Sequence, residues 1–381
     1  MWKDHLFISL AIEHYNPLGA IRALGEAGIR PVFIGINGRA RCASPSRYIS
    51  KLHQVETIEE AYDVLMKNYG DVYQKTGKKP YIICSDDKSI GFLDEHYEEV
   101  QSRFISYNAG KPNRINDYMD KFEILELAKK YGLNVMKSVV VKCGTMPEGL
   151  KYPVITKDIT PNSGAWKGDV FICQTPEELK TAFTKIKSED VLVQEYLSKE
   201  NEWAIEGCSV NQGKDVFYSI YSTYNYIIEG YYSPYRKCGV SNRPDLEEPL
   251  DKMFAEIGFD GIFDAEFLIG KDGKYYFTEI NFRNTAWAYS SAVIGMPLPP
   301  IWAESMEKGH IVEWAKENKK KYKGTFNAVA EPIDYEMRVR RGNVSPIRWF
   351  FQMLGSKCTD YFNWRDLKPW FFMLKNFKKL G

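Results

Sequence analysis

The sequence predicts a mixed α/β and α+β protein: a parallel α/β domain first, a β-rich body next, and an aromatic, basic helical extension last. Three observations predict it. Up to about residue 112, apolar runs of strand length alternate with stretches of helical periodicity, the pattern of a parallel sheet. From residue 135 onwards short β-like runs dominate, two of them separated by Asp272-Gly273, a strong hairpin signal. Residues 349–381 hold ten aromatic residues in 33, and residues 365–381 carry five basic residues against one acidic. A length of 381 residues exceeds what one hydrophobic core usually serves, and about 150 residues per domain suggests two or three.

In chain order, Leu-Phe-Ile-Ser-Leu-Ala-Ile (6–12) is an apolar run of strand length. Pro17 to Ala27 follows with Leu18, Ile21, Leu24 and Ala27 on one helical stripe, then Pro31 to Ile36 as a second strand. Tyr81 to Cys84 is a third strand, ending in Ser85-Asp86-Asp87 before a helical stretch from Ser89 to Val100. Ligands of parallel sheets sit beyond the carboxyl ends of strands, so His14 to Asn16 and Ser85 to Asp87 are candidate rims; they read equally well as caps and turns. Gly110-Lys111-Pro112 marks a boundary. Helices are expected over Asp120 to Tyr131, stopped by Gly132, over Pro176 to Lys187, and over Leu250 to Ile257. The resulting division is 1–112, 113–192, 193–330 and 331–381.

Hydrophobic residues make up 44% and aromatic residues 14%, enough for a large core, while 51 basic residues against 50 acidic leave no field for a nucleic-acid backbone. The seven cysteines, at 42, 84, 143, 173, 208, 238 and 358, never fall in CxxC spacing, which argues against a zinc site or a disulfide framework. The start Met-Trp-Lys-Asp-His lacks the basic start and apolar run of a signal peptide, and no window approaches ~18 apolar residues. A cytoplasmic location is expected. The aromatic, basic tail at 349–381 either lies on the inner face of an anionic membrane or docks a partner, or packs back onto the body through Trp349, Phe350, Phe351, Trp370 and Phe371.

The most informative stretch runs from Phe263 to Arg283. If Asp272-Gly273 forms a two-residue loop, Glu266 faces Glu279 and Asp264 faces Asn281, all four on one side of the sheet. Phe263, Ala265, Phe267, Ile269, Ile280 and Phe282 then form the core side. Directly opposed carboxylates repel, and a divalent cation removes that repulsion. Two carboxylates and an amide, all oxygen donors, suit Mg²⁺ shared with phosphates, with Mn²⁺ as a substitute. Arg283 shares the face of Asn281, where its guanidinium could hold a phosphate or carboxylate.

Glu-Ile-Asn-Phe-Arg (279–283), preceded by Asp-Ala-Glu-Phe (264–267), resembles the metal-binding signature of the ATP-grasp superfamily. The resemblance implies that Glu266, thirteen positions before Glu279, holds magnesium together with Glu279 and Asn281. Upstream, Lys121 resembles the family's first phosphate-binding lysine, and Lys157, in Tyr-Pro-Val-Ile-Thr-Lys (152–157), the second. Pro161-Asn-Ser-Gly-Ala-Trp-Lys-Gly168 is similar to the loop that closes over the phosphates, which implies roles for Ser163, Gly164, Lys167 and Gly168. It is less glycine-rich than usual. Val-Gln-Glu-Tyr-Leu (193–197) resembles the adenine-binding hinge, with Glu195, Tyr196 and Leu197, and Glu202 matches the acid that accepts the ribose hydroxyls. The likeness is firm over 120–283, looser over 1–112 and absent from 330–381. No GxxxxGK[ST] loop, kinase catalytic-loop signature or nucleophile elbow competes with it.

The resemblance implies an ATP-dependent ligase that turns a carboxylate into an acyl-phosphate and joins it to an amine. Arg283 and Lys167 are its expected catalytic groups. Bacterial carboxylate–amine ligases are the nearest in arrangement, among them D-aspartate ligases of peptidoglycan and ligases of surface-polysaccharide pathways. Arg236 is a candidate grip for a substrate carboxylate, or else a surface salt-bridge residue. The seven tyrosines from Tyr218 to Tyr235 either stack on a substrate or cover a sheet face. Two other readings stay open: a small-molecule kinase on the same fold, and a nucleotide-switched adaptor at a membrane. Homodimerisation is also left open.

Overall fold

The structure is a computed structural model and describes residues 1–37, 42–159, 169–228 and 232–376. The chain begins with a four-stranded, wholly parallel sheet of order β3-β2-β1-β4, formed by β1 (Phe7–Ile12), β2 (Val32–Ile36), β3 (Lys51–Val55) and β4 (Tyr81–Cys84). β2 and β4 are buried throughout, as expected of strands covered on both faces. The helix Tyr15–Glu26 lays Leu18, Ile21 and Leu24 against this sheet with no exposure, close to the predicted Pro17–Ala27.

β3 has no counterpart in the sequence reading. It is an edge strand, largely solvent-facing, so Lys51-Leu-His-Gln-Val55 lacks an apolar run. The single helix expected over Ser89–Val100 is two, Asp87–Glu95 and Tyr97–Arg103, parted at His96.

The strands β5 (Asn134–Val135), β6 (Ser138–Lys142), β7 (Val154–Lys157), β8 (Ile172–Cys173) and β9 (Asp190–Glu195) come next. Four of them make a small sheet of order β6-β9-β7-β8, with its own core of Val154, Leu179, Phe183, Val191 and Val193. The helix Pro176–Phe183 covers it, shorter than the predicted Pro176–Lys187.

An eight-stranded sheet follows, of order β16-β15-β12-β11-β10-β13-β14-β5. Its further strands are β10 (Lys199–Val210), β11 (Asp215–Tyr224), β12 (Tyr235–Val240), β13 (Gly261–Gly270), β14 (Tyr275–Asn281), β15 (Thr325–Val329) and β16 (Cys358–Thr359). One face, with Ile205, Phe263, Ala265 and Phe267, belongs to the main core. The helix Pro244–Ile257 starts six residues before the predicted Leu250, because it tolerates Pro249 near its beginning and takes Pro244 in its first turn.

The C-terminal residues 331–376 include the helices Pro346–Leu354 and Lys368–Asn376. The segment between them returns to the helix Tyr15–Glu26, where Asp366 pairs with Arg22, both without exposure. Part of the extension therefore packs onto the body, through Asp366 and Trp370, but Phe350, Phe351 and Phe371, expected in that packing, are exposed. All seven cysteines are free thiols, and no helix among the described residues is long and apolar enough to cross a membrane.

Candidate active site

The β13–β14 hairpin carries the acidic residues, and its geometry corrects the sequence reading in an instructive way. The loop is longer than Asp272-Gly273: Ile269 faces Tyr275, and Gly273 takes the left-handed backbone (φ 74°) that glycine allows. That alone would shift every pair by one position. A bulge leaves Thr278 unpaired, with its hydroxyl donating to the Glu266 carbonyl at 2.9 Å, and restores the register. Glu266 thus faces Glu279 and Asp264 faces Asn281, as read from the sequence. The bulge also turns Phe277 into the core, where it is fully buried.

Strand pairing extends this polar face. Ala204 on β10 lies beside Glu266, so Glu202 and Glu206 flank it on the same side; across β11 and β12 the face continues through Ser222, Tyr224 and Arg236. Burial of Glu266, then the charges of Glu279, Asp264 and Glu202, push its carboxyl well above the usual range. Burial likewise raises Asp264, against the pull of Arg236 and Arg283, and its Oδ1 has no hydrogen-bond partner. Asn281 donates to Glu266 Oε1 at 3.0 Å. Crowded, partly unsatisfied carboxylates of this kind fit a divalent cation. Among the described residues no three His, Cys, Asp or Glu side chains form a complete metal cluster, so such a cation would rely on Asn281 and on ligand oxygens.

Two lysines approach, Lys157 from the small sheet and Lys121 from the start of a helix. Lys157, at the end of β7, donates to Gln194 Oε1 at 2.9 Å, and Gln194 in turn donates to Ser138 Oγ at 2.8 Å. Burial holds the Lys157 ammonium below its ordinary pKa, with Lys121 pulling the same way and Glu279 and Glu202 opposing. Lys157 is therefore within electrostatic reach of Lys121, Glu279 and Glu202. Lys121 opens the helix Lys121–Lys130, capped by Asp120, which accepts from the backbone N–H groups of Phe122 and Glu123. Glu202 forms an ion pair with Lys199, a residue the sequence reading passed over.

Glu195 ends β9, and Tyr196 and Leu197 join the small sheet to β10. The Glu195 carboxylate accepts from the Lys151 backbone N–H at 2.9 Å, and Tyr196 N–H donates to the Pro153 carbonyl at 2.8 Å, so this hinge is tied to the Lys151–Pro153 turn. Ser163, Gly164, Lys167 and Gly168 lie outside the described residues.

Arg283 meets the rim of the first sheet. Its guanidinium makes a forked pair with Asp87 and donates to Asn281 Oδ1 at 2.9 Å. Its charge and, more strongly, burial lower the His14 pKa. Asp86 does serve as a helix cap, accepting from Ser89, and also receives the Ile12 N–H at 2.8 Å. The rim is thus both cap and site wall.

Arg236 is half-buried and is no surface salt-bridge residue: its guanidinium lies 5.3 Å from the Tyr224 ring and 5.6 Å from that of Trp287. It lines a narrow recess with Tyr15, Tyr232, Trp287 and Asp360. Asp360 is pushed up to about 7 by burial, with Arg236 and Arg22 pulling down. Of the tyrosines, Tyr224 and Tyr232 face this region, while Tyr218 and Tyr221 pack against Phe263 and Trp203 as sheet cover. Asp360 reaches the recess from the extension, and nothing local in the sequence signals that.

No protein-family model matches this chain, and no curated protein matches it either. Solved structures do. The L-amino acid ligase of Bacillus licheniformis superposes with a TM-score of 0.61 at 13% identity, over 86% of this chain and 80% of that one. N5-carboxyaminoimidazole synthetase from Staphylococcus aureus gives 0.59 at 13% identity, over 90% and 86%. The biotin carboxylase domain of Hydrogenobacter thermophilus 2-oxoglutarate carboxylase, in complex with MgADP, ADP and bicarbonate, gives 0.61 at 17% identity, over 85% and 74%. At these identities the likeness is one of fold: this chain shares the fold of these enzymes.

Proposed function

We propose that this protein is an ATP- and magnesium-dependent ligase that activates a carboxylate as an acyl-phosphate and couples it to an amine. The observation that carries the reading is the opposed pair Glu266–Glu279 within electrostatic reach of Lys157, on a sheet face that also bears Arg236. A magnesium ion bound by Glu266, Glu279 and Asn281 supplies charge neutralisation to nucleotide phosphates. Lys121 and Lys157 offset the remaining phosphate charge, and Glu202 and the Glu195–Leu197 hinge hold the nucleoside. Arg283, positioned by Asp87, steadies the activated acyl group, and Arg236 orients a substrate carboxylate in the aromatic recess.

In this reading a carboxylate oxygen of the acid bonds to the γ-phosphorus as the bond to the β–γ bridging oxygen breaks, leaving ADP. The amine nitrogen then attacks the acyl carbon; phosphate departs with the bonding electrons, and the amine proton passes to it or to water. A panel of acids and amines, with ADP release measured and product mass determined, tests the proposal. ADP formation that needs both partners and yields an amide supports it. Steady turnover with a single acceptor and a phosphorylated product would make the protein a kinase instead.

A further inference from the structure

We propose that the C-terminal helix Pro346–Leu354, with the helix Lys368–Asn376, seats this protein on an anionic lipid surface. Of fourteen large apolar side chains left exposed among the described residues, seven lie between Ile347 and Leu374. Four of these form one stripe of the first helix at the spacing of a helical face: Ile347 (72% exposed), Phe350, Phe351 and Leu354. The opposite face holds the helix in place. Trp349 Nε1 donates to Asp334 at 2.8 Å, and Gln352 accepts from Arg338, itself paired with Asp334. The helix is therefore fixed with its apolar stripe outward, which folding alone does not reward. The second helix repeats the arrangement, burying Pro369 and Met373 and exposing Phe371 and Leu374.

Charge selects the occupant. From Glu331 to Gly381 there are ten basic residues and five acidic ones. Arg338 pairs with Asp334 and Arg340 with Glu336, while Arg341, Arg348, Arg365, Lys368 and Lys375 are exposed and in no ion pair among the described residues. Asp366 is buried against Arg22, and Asp360 lines the recess, so neither balances the outward charge. A second copy would bring the same basic surface to this face and be repelled. Exposed aromatic and aliphatic residues beside the exposed Arg348, Lys368 and Lys375 suit an interface of acyl chains and anionic headgroups.

Sedimentation of the full chain with vesicles of phosphatidylcholine alone, and of phosphatidylcholine with phosphatidylglycerol, tests this directly. The expected result is binding to the anionic vesicles that weakens with salt. Phe350→Ser with Phe351→Ser should lower that binding roughly tenfold or more, and Arg348→Glu by about fivefold. These residues are exposed, so the unfolding temperature and ADP formation in solution should not change. Equal partition of wild type and the double variant would overturn the proposal. So would indifference to lipid charge, or a concentration-dependent dimer in light scattering that the double variant abolishes.

Discussion

Asp87 and Arg283 form a forked ion pair, with Nε–Oδ1 at 2.8 Å and Nη2–Oδ2 at 3.0 Å, between residues 196 positions apart. One partner opens the helix after β4 and the other follows the acidic hairpin, so the pair fixes the rim of the first parallel sheet against the acidic site. Asn281 shares the guanidinium, which makes Asp87 a positioning residue for two site side chains at once. Asp87→Asn keeps the shape and loses the charge. It should lower kcat/KM for the acid substrate roughly ten- to hundredfold through misplacement of Arg283. Both side chains are partly exposed, so the unfolding free energy should move by no more than about 1 kcal/mol. Steady-state ADP release and urea unfolding check both halves; a large stability loss with intact turnover would refute the positioning role.

Glu266 and Glu279 repel each other across the hairpin, and burial sharpens that repulsion at Glu266. Glu279→Ala removes the repulsion along with a metal ligand. In the absence of nucleotide the variant should be as stable as the wild type, or more stable by about 0.2–1 kcal/mol. Magnesium-dependent ADP formation should vanish, together with any rise in unfolding temperature caused by ATP and magnesium. Unchanged turnover in Glu279→Ala would remove the metal assignment.

The hairpin was readable from the sequence for a reason that survives two local errors. Its apolar residues, Phe263, Ala265, Phe267, Ile280 and Phe282, must face the core, and that requirement fixes which side the acids occupy. The true loop and the Thr278 bulge each shift the register by one, in opposite senses. Phe277 was the available clue, since an unbulged strand would leave it on the acidic face. Other parts had no local signal. β3 is an edge strand with little apolar content, and the helix Pro244–Ile257 hides its start behind Pro249. Asp360 reaches the recess only through the return of the extension onto Arg22, a tertiary event. Asp87 was legible as rim, but its bond to Arg283 was not.

Glu331 makes stability depend on pH. It is fully buried and accepts the N–H groups of Tyr361 at 3.0 Å and Phe362 at 2.8 Å. Burial outweighs those donors and pushes the carboxyl up to about 8 from its ordinary 4.5. Below pH 4.5 both folded and unfolded chains hold the proton, and the group is neutral to stability. Between these values the folded chain keeps a proton that the unfolded chain releases, so stability falls as pH rises, by at most about 1.4 kcal/mol per pH unit. Above about 8 the loss levels off. Asp360, raised to about 7, adds to the same slope. Unfolding temperature should therefore decline from pH 5 to pH 8, and Glu331→Gln should flatten that decline. An equally steep decline in the variant would show that Glu331 does not titrate in this window.

Arg22 and Asp366 should be the most sensitive pair in the extension. Neither is exposed, and their contact is 3.1 Å. Arg22 also donates to the carbonyls of Asp360 at 2.8 Å and Tyr361 at 2.7 Å, while Asp366 accepts from Ser46 Oγ and the Arg47 N–H. Removing one partner strands the other charge in the interior, at a cost of about 3–5 kcal/mol. Asp366→Ala should fall in that range in urea unfolding. The paired change Arg22→Met with Asp366→Leu should recover much of the loss, because it removes both charges together. Since the same guanidinium holds the Asp360 backbone, the single variant should also raise KM for whichever substrate enters the recess. A stability change below about 1 kcal/mol for Asp366→Ala would mean that the extension is held chiefly by other contacts, such as Tyr361 against Tyr15.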